Sequence, residues 1–502
     1  MLFKKQESYK KGIIASTLLN IGSKSIGFIN SLLLVYLFGT NLGTDSYFLV
    51  ISTLGFVSSF LVGIVSYVVI PESMRIRQNG GAKAEQSYIN FFFWLFAAIG
   101  LVLALLILLS PVFFYSLFSK FSGEQLVTYR LLLLISCLLF PLNLLINLLV
   151  LVLSSHKYFT TPMVVALINS ILSIILLFVL KAYFGVTAAV IAFVSGSIIN
   201  ISWIIFLFVR HLNWNFFHIT TPGKTNWRNI LLMEIMLIPV SFRSYITIFM
   251  LSGLGAGVIT AYNYGLQIAL IPEIMILSQV MAVLGIKINE LSAAGDKLAI
   301  DKIFQKSMRL LFWGMLPIGI LIFLLSPEIL RVLFIFKDKS ELQSLMLIAA
   351  FMSCFAITLP FRALDIMITS IMTAQQKIRQ GLILSITLNS TIILLTFVTV
   401  KYFGLKGFFY FIIFVYAILM PVFYFFFSRK VLPFIQMGAW VKSTALYFLP
   451  LALLTTGLYF IKKYYLANTN IVLNIFIITV VVIAAVFALN RKIKYAAYSL
   501  EL

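Results

Sequence analysis

Charge of either sign is scarce in this chain, and negative charge above all. Only 10% of the 502 residues are charged, and Asp and Glu together number 15 against 37 Lys and Arg. So few solvated side chains cannot cover a soluble globule of this length. The two cysteines, Cys137 and Cys354, fall inside apolar stretches, which excludes a disulfide framework and leaves reduced packing residues. The three histidines, His156, His211 and His218, lie in or beside loops and form no H-x-x-x-H or Cys/His cluster, so the pattern offers no metal site. No G-x-x-x-x-G-K-[ST] stretch occurs, which excludes ATP hydrolysis by a P-loop. Long polar segments are also missing, so there is no room for a separate soluble domain.

What is present is apolar sequence. Hydrophobic residues make up 62% of the chain, 48 of them Phe, and the mean hydropathy is +1.08. Apolar runs of membrane-spanning length recur from end to end, which predicts an all-α polytopic membrane protein; a β-barrel would show short alternating segments. The pattern predicts fourteen spans, at about 11–38, 43–71, 87–116, 125–154, 161–182, 186–209, 228–252, 256–287, 308–335, 342–374, 380–402, 405–428, 441–461 and 470–490. The N-terminal "MLFKKQESYKK" is basic and leads into a long helix with no small-residue cleavage site, so we expect no cleavable signal peptide. The segment 288–309, "INELSAAGDKLAIDKIFQKSMR", is amphipathic and reads as a short interfacial helix.

The distribution of cations orients these spans. An even number of crossings puts both termini on one side. Twenty-four of the 37 cations fall on that side and nine on the other, which predicts cytoplasmic termini. The formal net charge of +22 is thus explained by basic loops beside anionic headgroups; no compact basic domain exists to hold a nucleic acid.

Four cations remain inside spans: Lys24, Arg130, Arg243 and Arg362. A cation at the centre of a membrane helix costs about 2.5 to 3.5 kcal/mol on insertion scales, so each needs a reason. Arg130 lies near a helix end, where it can snorkel. Lys24 shares a polar helix face with Asn20 and Ser31, and that face should line protein or water. Arg362 either pairs with Asp365, three residues on, or faces a cavity. Asp45, Glu234, Glu273 and Asp365 are the acidic partners available to such cations. Asn143, Asn147, Asn169, Asn200, Asn263, Gln267 and Asn389 fit interhelical hydrogen bonds better than contacts to sugar hydroxyls.

An internal repeat organises the chain. "HKYFTTPMVVALINSILSIILLFVLKAYFG" (156–185) parallels "QKIRQGLILSITLNSTIILLTFVTVKYFG" (376–404), and "FPLN" ending at Asn143 parallels "LPFR" ending at Arg362. The same offset aligns Lys24 with Arg243. It implies an N-lobe of six helices (1–215), a parallel C-lobe of six (216–430) and two additional helices (431–502). Two lobes with a site between them is transporter architecture, and Lys24 and Arg243 opening the two lobes would suit an anion such as phosphate.

Particular stretches then resemble a known family. "SKSIGFINSLLLVYLFGTNLGTDSYFLV" is similar to the first two helices of the lipid II flippase (MurJ/MviN) family, within the multidrug/oligosaccharidyl-lipid/polysaccharide exporter superfamily. The stretch 262–320, from "YNYGLQIALIP" to "LLFWGMLPIGI", resembles its eighth and ninth helices, and 359–395 resembles its tenth and eleventh. The resemblance covers most of residues 10–430 and implies fourteen helices. It implies a flippase that moves an undecaprenyl-diphosphate-linked saccharide from the inner to the outer leaflet of the bacterial cytoplasmic membrane by alternating access. Cavity cations would hold the diphosphate and the last two helices the lipid tail. Its partners would be that lipid-linked oligosaccharide and the surrounding membrane lipids, the chain would act as a monomer, and no cofactor is implied beyond a coupling ion or the membrane potential.

Residue by residue, Lys24 stands where the family has a cavity arginine and Asp45 is kept. A second arginine of the first helix is Asn30 here, the paired arginines of the second helix fall at Ser58 and Ser59, and the arginine of the eighth is Gln267. The expected substrate-binding set is therefore Lys24, Arg243, Arg362, Asp45, Asn30 and Gln267. These departures leave O-antigen or exopolysaccharide repeat units open as substrates. A drug/cation antiporter would want cavity carboxylates, and a membrane glycosyltransferase would want catalytic carboxylates or histidines at an interface; the pattern favours neither.

Overall fold

The computed structural model describes residues 9–158, 160–334, 342–465 and 470–493; within them some side chains, including that of Lys24, lie outside the described set. Eighteen α-helices are described: α1 (Tyr9–Phe38), α2 (Leu42–Ile64), α3 (Ile70–Leu109), α4 (Pro111–Ser116), α5 (Gly123–Thr128), α6 (Arg130–Ile135), α7 (Leu139–Ser155), α8 (Thr160–Phe184), α9 (Thr187–Leu212), α10 (Lys224–Ser252), α11 (Val258–Ala269), α12 (Ser278–Ala293), α13 (Lys297–Leu333), α14 (Leu342–Ala374), α15 (Ile378–Phe414), α16 (Met420–Val431), α17 (Met437–Tyr464) and α18 (Ile471–Ile493). No strand occurs among the described residues.

Among the described residues, ten helical stretches are long and apolar enough to cross a membrane, and Ser25–Phe38 and Leu237–Ser252 are shorter apolar portions of α1 and α10. The stretch Arg379–Val431 holds 53 residues, about 80 Å of helix at 1.5 Å per residue against a hydrocarbon core of about 30 Å, so it makes two crossings. Its break is Gly404, with φ 58°. With α11 and α12 taken as one crossing, the described residues make fourteen, at the places the hydropathy pattern expects.

Proline shapes these helices. Three π-helical turns, Val65–Val69, Glu273–Leu277 and Val415–Leu419, each lie within two residues of a proline: Pro71, Pro272 and Pro421 respectively. A proline ring removes one backbone donor and crowds the carbonyl four residues back; for Pro71 and Pro421 that carbonyl lies inside the π turn, so the helix locally widens instead of ending.

The repeat is visible in the backbone. Apart from Asn213 and Gly255, the described residues with positive φ fall in pairs 214 to 219 positions apart: Gly39 (71°) with Gly257 (85°), Gly81 (79°) with Gly295 (71°), Lys157 (66°) with Gln376 (54°), and Gly185 (53°) with Gly404 (58°). Left-handed backbone is costly away from glycine, so its recurrence at Lys157 and Gln376 marks the same turn made twice.

Two compact units, Met1–Thr260 and Ala261–Leu502, make up the chain. In the first, α7 lays Leu144, Leu148, Leu149, Val152 and Leu153 against Tyr88, Ile89, Phe92, Phe93 and Phe96 of α3. The loop after α9 is strapped onto the same face. Asn90, fully buried, donates to the carbonyls of Asn215 and His218 at 2.6 and 2.7 Å and accepts from Trp214 Nε1 at 2.9 Å. Although α10 opens the second repeat, it packs in the first unit against α2, through Ser59–Ser241 hydroxyls at 2.7 Å and the rings of Phe56, Phe242 and Tyr245.

In the second unit α13 and α14 form the central pair, and α17 is pinned to α13 by Lys462, which donates to Glu328 at 2.6 Å and to the carbonyl of Leu324. The expected interfacial helix over 288–309 is not a separate element. α12 ends at Ala293, Asp296 accepts from the backbone N–H of Ala299 at 2.9 Å, and α13 runs without interruption into its span. The N-cap restarts a helix whose amphipathic first turns simply extend a crossing.

Candidate functional site

The second unit builds a charged cluster from three helical segments. Arg362 follows Pro360 in the middle of α14, Glu273 opens the π turn after Pro272, and Tyr416 lies on the π turn before Pro421. Arg362 Nη1 stands 3.2 Å from Glu273 Oε2. Its Nη2 donates to Tyr416 OH and its Nε to Thr358 Oγ1, both at 3.3 Å, and the guanidinium lies 4.8 Å from the Tyr416 ring centroid. The side chains of Arg362 and Glu273 are 17% and 22% exposed, so the pair is sheltered but not sealed. An ion pair at this depth in a span faces protein interior or a polar path, not lipid.

Of the two alternatives open for Arg362, the pairing with Asp365 does not form. Asp365 accepts instead from Tyr424 OH on α16, and Arg362 takes Glu273, 89 residues earlier in the chain. Adjacency on one helix face loses here to partners that neighbouring helices bring into line. Gln267, on α11, is half-buried.

In the first unit, Asn30 and Asp45 are held by hydrogen bonds. Asn30 donates to Ser173 Oγ at 3.0 Å, which ties α1 to α8. Ser58 and Asn147 both donate to Asn143 Oδ1, at 2.9 and 2.8 Å, linking α2 to α7. Asn143 is the residue that the repeat aligns with Arg362, so the second and fourth helices of each repeat meet through a polar contact, neutral in the first and ionic in the second. Arg243 is half-buried on α10, one turn before Thr247, whose hydroxyl donates to its carbonyl at 2.9 Å. Asp45 is fully buried at the start of α2. Its carboxylate accepts from the backbone N–H groups of Gly257 and Thr260, at 2.5 and 2.8 Å, and from Thr260 Oγ1 at 2.6 Å, so it caps the N-terminus of α11. The backbone of Lys24 lies within α1; its side chain is outside the described residues.

A third polar group escaped the sequence reading. Glu85, fully buried on α3, faces His156 Nε2 at 3.2 Å and Arg77 Nη1 at 3.6 Å, and Arg77 also donates to the carbonyl of Ser155 at 3.3 Å. These residues sit on either side of the Gly81 kink and at the end of α7, a conjunction that no local spacing announces. Tyr416 and Thr358 were missed for the same reason. The only hint was that Thr358 lies one turn before Arg362.

The sequence model of the family described as lipid II flippase MurJ matches residues 34–490. The chain belongs to the lipid II flippase MurJ family. Comparison with curated protein sequences returned no match. Among solved structures, a lipid II flippase MurJ in an inward closed conformation superposes with TM-score 0.76 at 16% identity, covering 95% of this chain and 99% of that one. An inward-facing multidrug resistance MATE family transporter of the MOP superfamily follows at TM-score 0.65 and 15% identity, covering 84% and 99%. A MOP superfamily transporter from Pyrococcus furiosus Vc1 (DSM3638) reaches 0.56 at 15% identity, covering 86% and 97%. At such identities the superpositions establish the shared fold. Membership of the MurJ family makes this a multi-pass membrane protein of a flippase family, a transporter and not an enzyme, whose substrate is lipid-linked.

Proposed function

We propose that this MurJ-family protein moves an undecaprenyl-diphosphate-linked saccharide of the lipid II type from the inner to the outer leaflet of the bacterial cytoplasmic membrane. The lobes 1–215 and 216–430 alternate access to the two sides, helices 431–502 accompany the lipid tail, and both termini face the cytoplasm. The chain works as a monomer. The observation that carries this reading is the family match over residues 34–490.

Embedded cations supply the chemistry. A diphosphate crossing the hydrocarbon core needs positive charge and hydrogen-bond donors in place of water. Arg binds phosphate through a two-pronged fork and Lys as a point charge. Lys24, Arg243 and Arg362 are the groups to which we assign the diphosphate. Asn30 and Gln267, polar but uncharged where the family has arginine, take the neighbouring saccharide or water. Asp45 serves the site indirectly by fixing the start of α11. The membrane potential or an ion gradient drives the cycle: carrying one net charge across 100 mV is worth about 2.3 kcal/mol.

The test is complementation. Cells depleted of their own lipid II flippase are supplied with this chain, and lipid II reaching the outer leaflet is measured. Restored export supports the assignment. An absence of export with the protein in the membrane sinks the lipid II assignment and moves the substrate to another lipid-linked glycan, polysaccharide repeat units being the next to assay.

A further inference from the structure

We infer that Glu273 is a built-in counter-anion for Arg362. It occupies the guanidinium while the transporter is empty and yields it to the diphosphate of the bound lipid. This inference rests on the proposed diphosphate site and assigns to that site a residue the sequence reading left out of the binding set.

A carrier with an embedded cation faces a physical problem once its anionic cargo has left. An unpaired guanidinium within a span is costly, and every empty return step would incur that cost. A carboxylate that closes on the cation after release removes it.

The Arg362–Glu273 contact has the properties such an exchangeable pair requires. It is a single contact at 3.2 Å, beyond the 2.7–2.9 Å usual for charge-assisted N–H···O bonds. Glu273 Oε2 is buried yet makes no hydrogen bond of good geometry, so the guanidinium holds it by charge alone. The contrast within the same unit is Lys462–Glu328 at 2.6 Å, where the lysine also donates to a backbone carbonyl and locks two helices together. Glu273 stands on a π turn beside Pro272, backbone that is already irregular and has more than one way to close its hydrogen bonds.

Arg362 also has partners that do not depend on Glu273, though their hydrogen bonds are no shorter than the ion pair. Thr358 takes its Nε from one turn away on the same helix, and Tyr416 takes Nη2 while its ring lies under the guanidinium. If the carboxylate swings away, the fork stays aimed. A diphosphate then offers paired oxygens where Glu273 offers one, and this difference favours displacement. The repeat sharpens the point: the equivalent position in the first repeat is Asn143, whose neutral contacts with Ser58 and Asn147 need no counter-ion.

The experiment measures binding of farnesyl diphosphate, a short polyprenyl diphosphate, to the purified full-length protein in lipid nanodiscs by calorimetry. Removing the competing carboxylate with Glu273→Gln should tighten binding about tenfold, within the range of ordinary coupling between sites. The double variant Glu273→Gln/Arg362→Ala should bind no tighter than Arg362→Ala alone. A gain of affinity is informative because misfolding cannot produce one. If wild type binds and Glu273→Gln binds equally, the counter-anion role is overturned while the diphosphate site stands. If the gain persists without Arg362, it comes from net charge elsewhere and the pairing is likewise overturned. If wild type binds no farnesyl diphosphate, the diphosphate site and this inference both fail.

Discussion

Asp45 Oδ1 accepts both the backbone N–H and the hydroxyl of Thr260, at 2.8 and 2.6 Å, from 215 residues away in the chain. Its other oxygen takes the N–H of Gly257. A carboxylate on α2 thus supplies the N-cap that α11 lacks in its own sequence, with a charge that suits the positive end of the helix dipole. Asp45→Ala leaves the buried N–H groups of Gly257 and Thr260 without their acceptor, while the Thr260 hydroxyl keeps Thr44 Oγ1 at 3.1 Å. We expect it to lower stability by about 2 to 3 kcal/mol, the cost of losing hydrogen bonds to a charged group. The thermal midpoint of the detergent-solubilised protein reads this; an unchanged midpoint would show that the cap contributes nothing.

Arg362 should be required for transport but not for insertion. Arg362→Ala removes the fork held by Thr358 and Tyr416, and we expect outer-leaflet lipid II in the complementation assay to fall at least tenfold with protein levels unchanged, in line with the loss of one charged contact. Arg362→Lys keeps the charge without the fork and should fall between the two. Full export by the alanine variant would remove Arg362 from the site.

Lys24→Ala and Arg243→Ala should each abolish export of the lipid-linked substrate while the protein remains in the membrane. Quantitative blotting of membranes alongside the export assay separates the two effects. If both variants export normally, the diphosphate assignment is wrong.

The Lys462–Glu328 pair offers a stability test outside the proposed site. The two side chains are 18% and 8% exposed, so removing one leaves a sheltered charge alone. Lys462→Met and Glu328→Leu should each destabilise by about 3 kcal/mol, whereas the double variant should recover most of the loss. A thermodynamic cycle on the solubilised protein reports the difference; additive single and double effects would argue against coupling.

Asn90 makes a prediction about dynamics. Its three hydrogen bonds strap the loop 213–218 to α3, each worth about 1 kcal/mol. Asn90→Ala should raise hydrogen exchange in 213–223 while leaving the α13–α14 pair protected. Unaltered exchange in the loop would mean that the rings of Trp214 and Phe216 hold it without the amide.

Much of this architecture was legible in the order of residues alone. Span length and glycine and proline placement depend on local backbone geometry and on the bilayer, which acts on every segment alike. Hence the crossings, the break at Gly404 and the repeat that pairs Asn143 with Arg362 could be read in advance. Partners could not. Arg362 has an acid three residues away, yet it turns to Glu273, and Asp45 caps a helix that begins more than two hundred residues later. The interfacial helix expected over 288–309 is instead divided between the end of α12 and the start of α13, where the cap at Asp296 begins a helix that continues into a span. In a membrane span the water that would otherwise satisfy each charge is gone, so a polar group must bond to whatever packing brings within reach. That choice is made between helices far apart in the chain, and no spacing along one helix contains it.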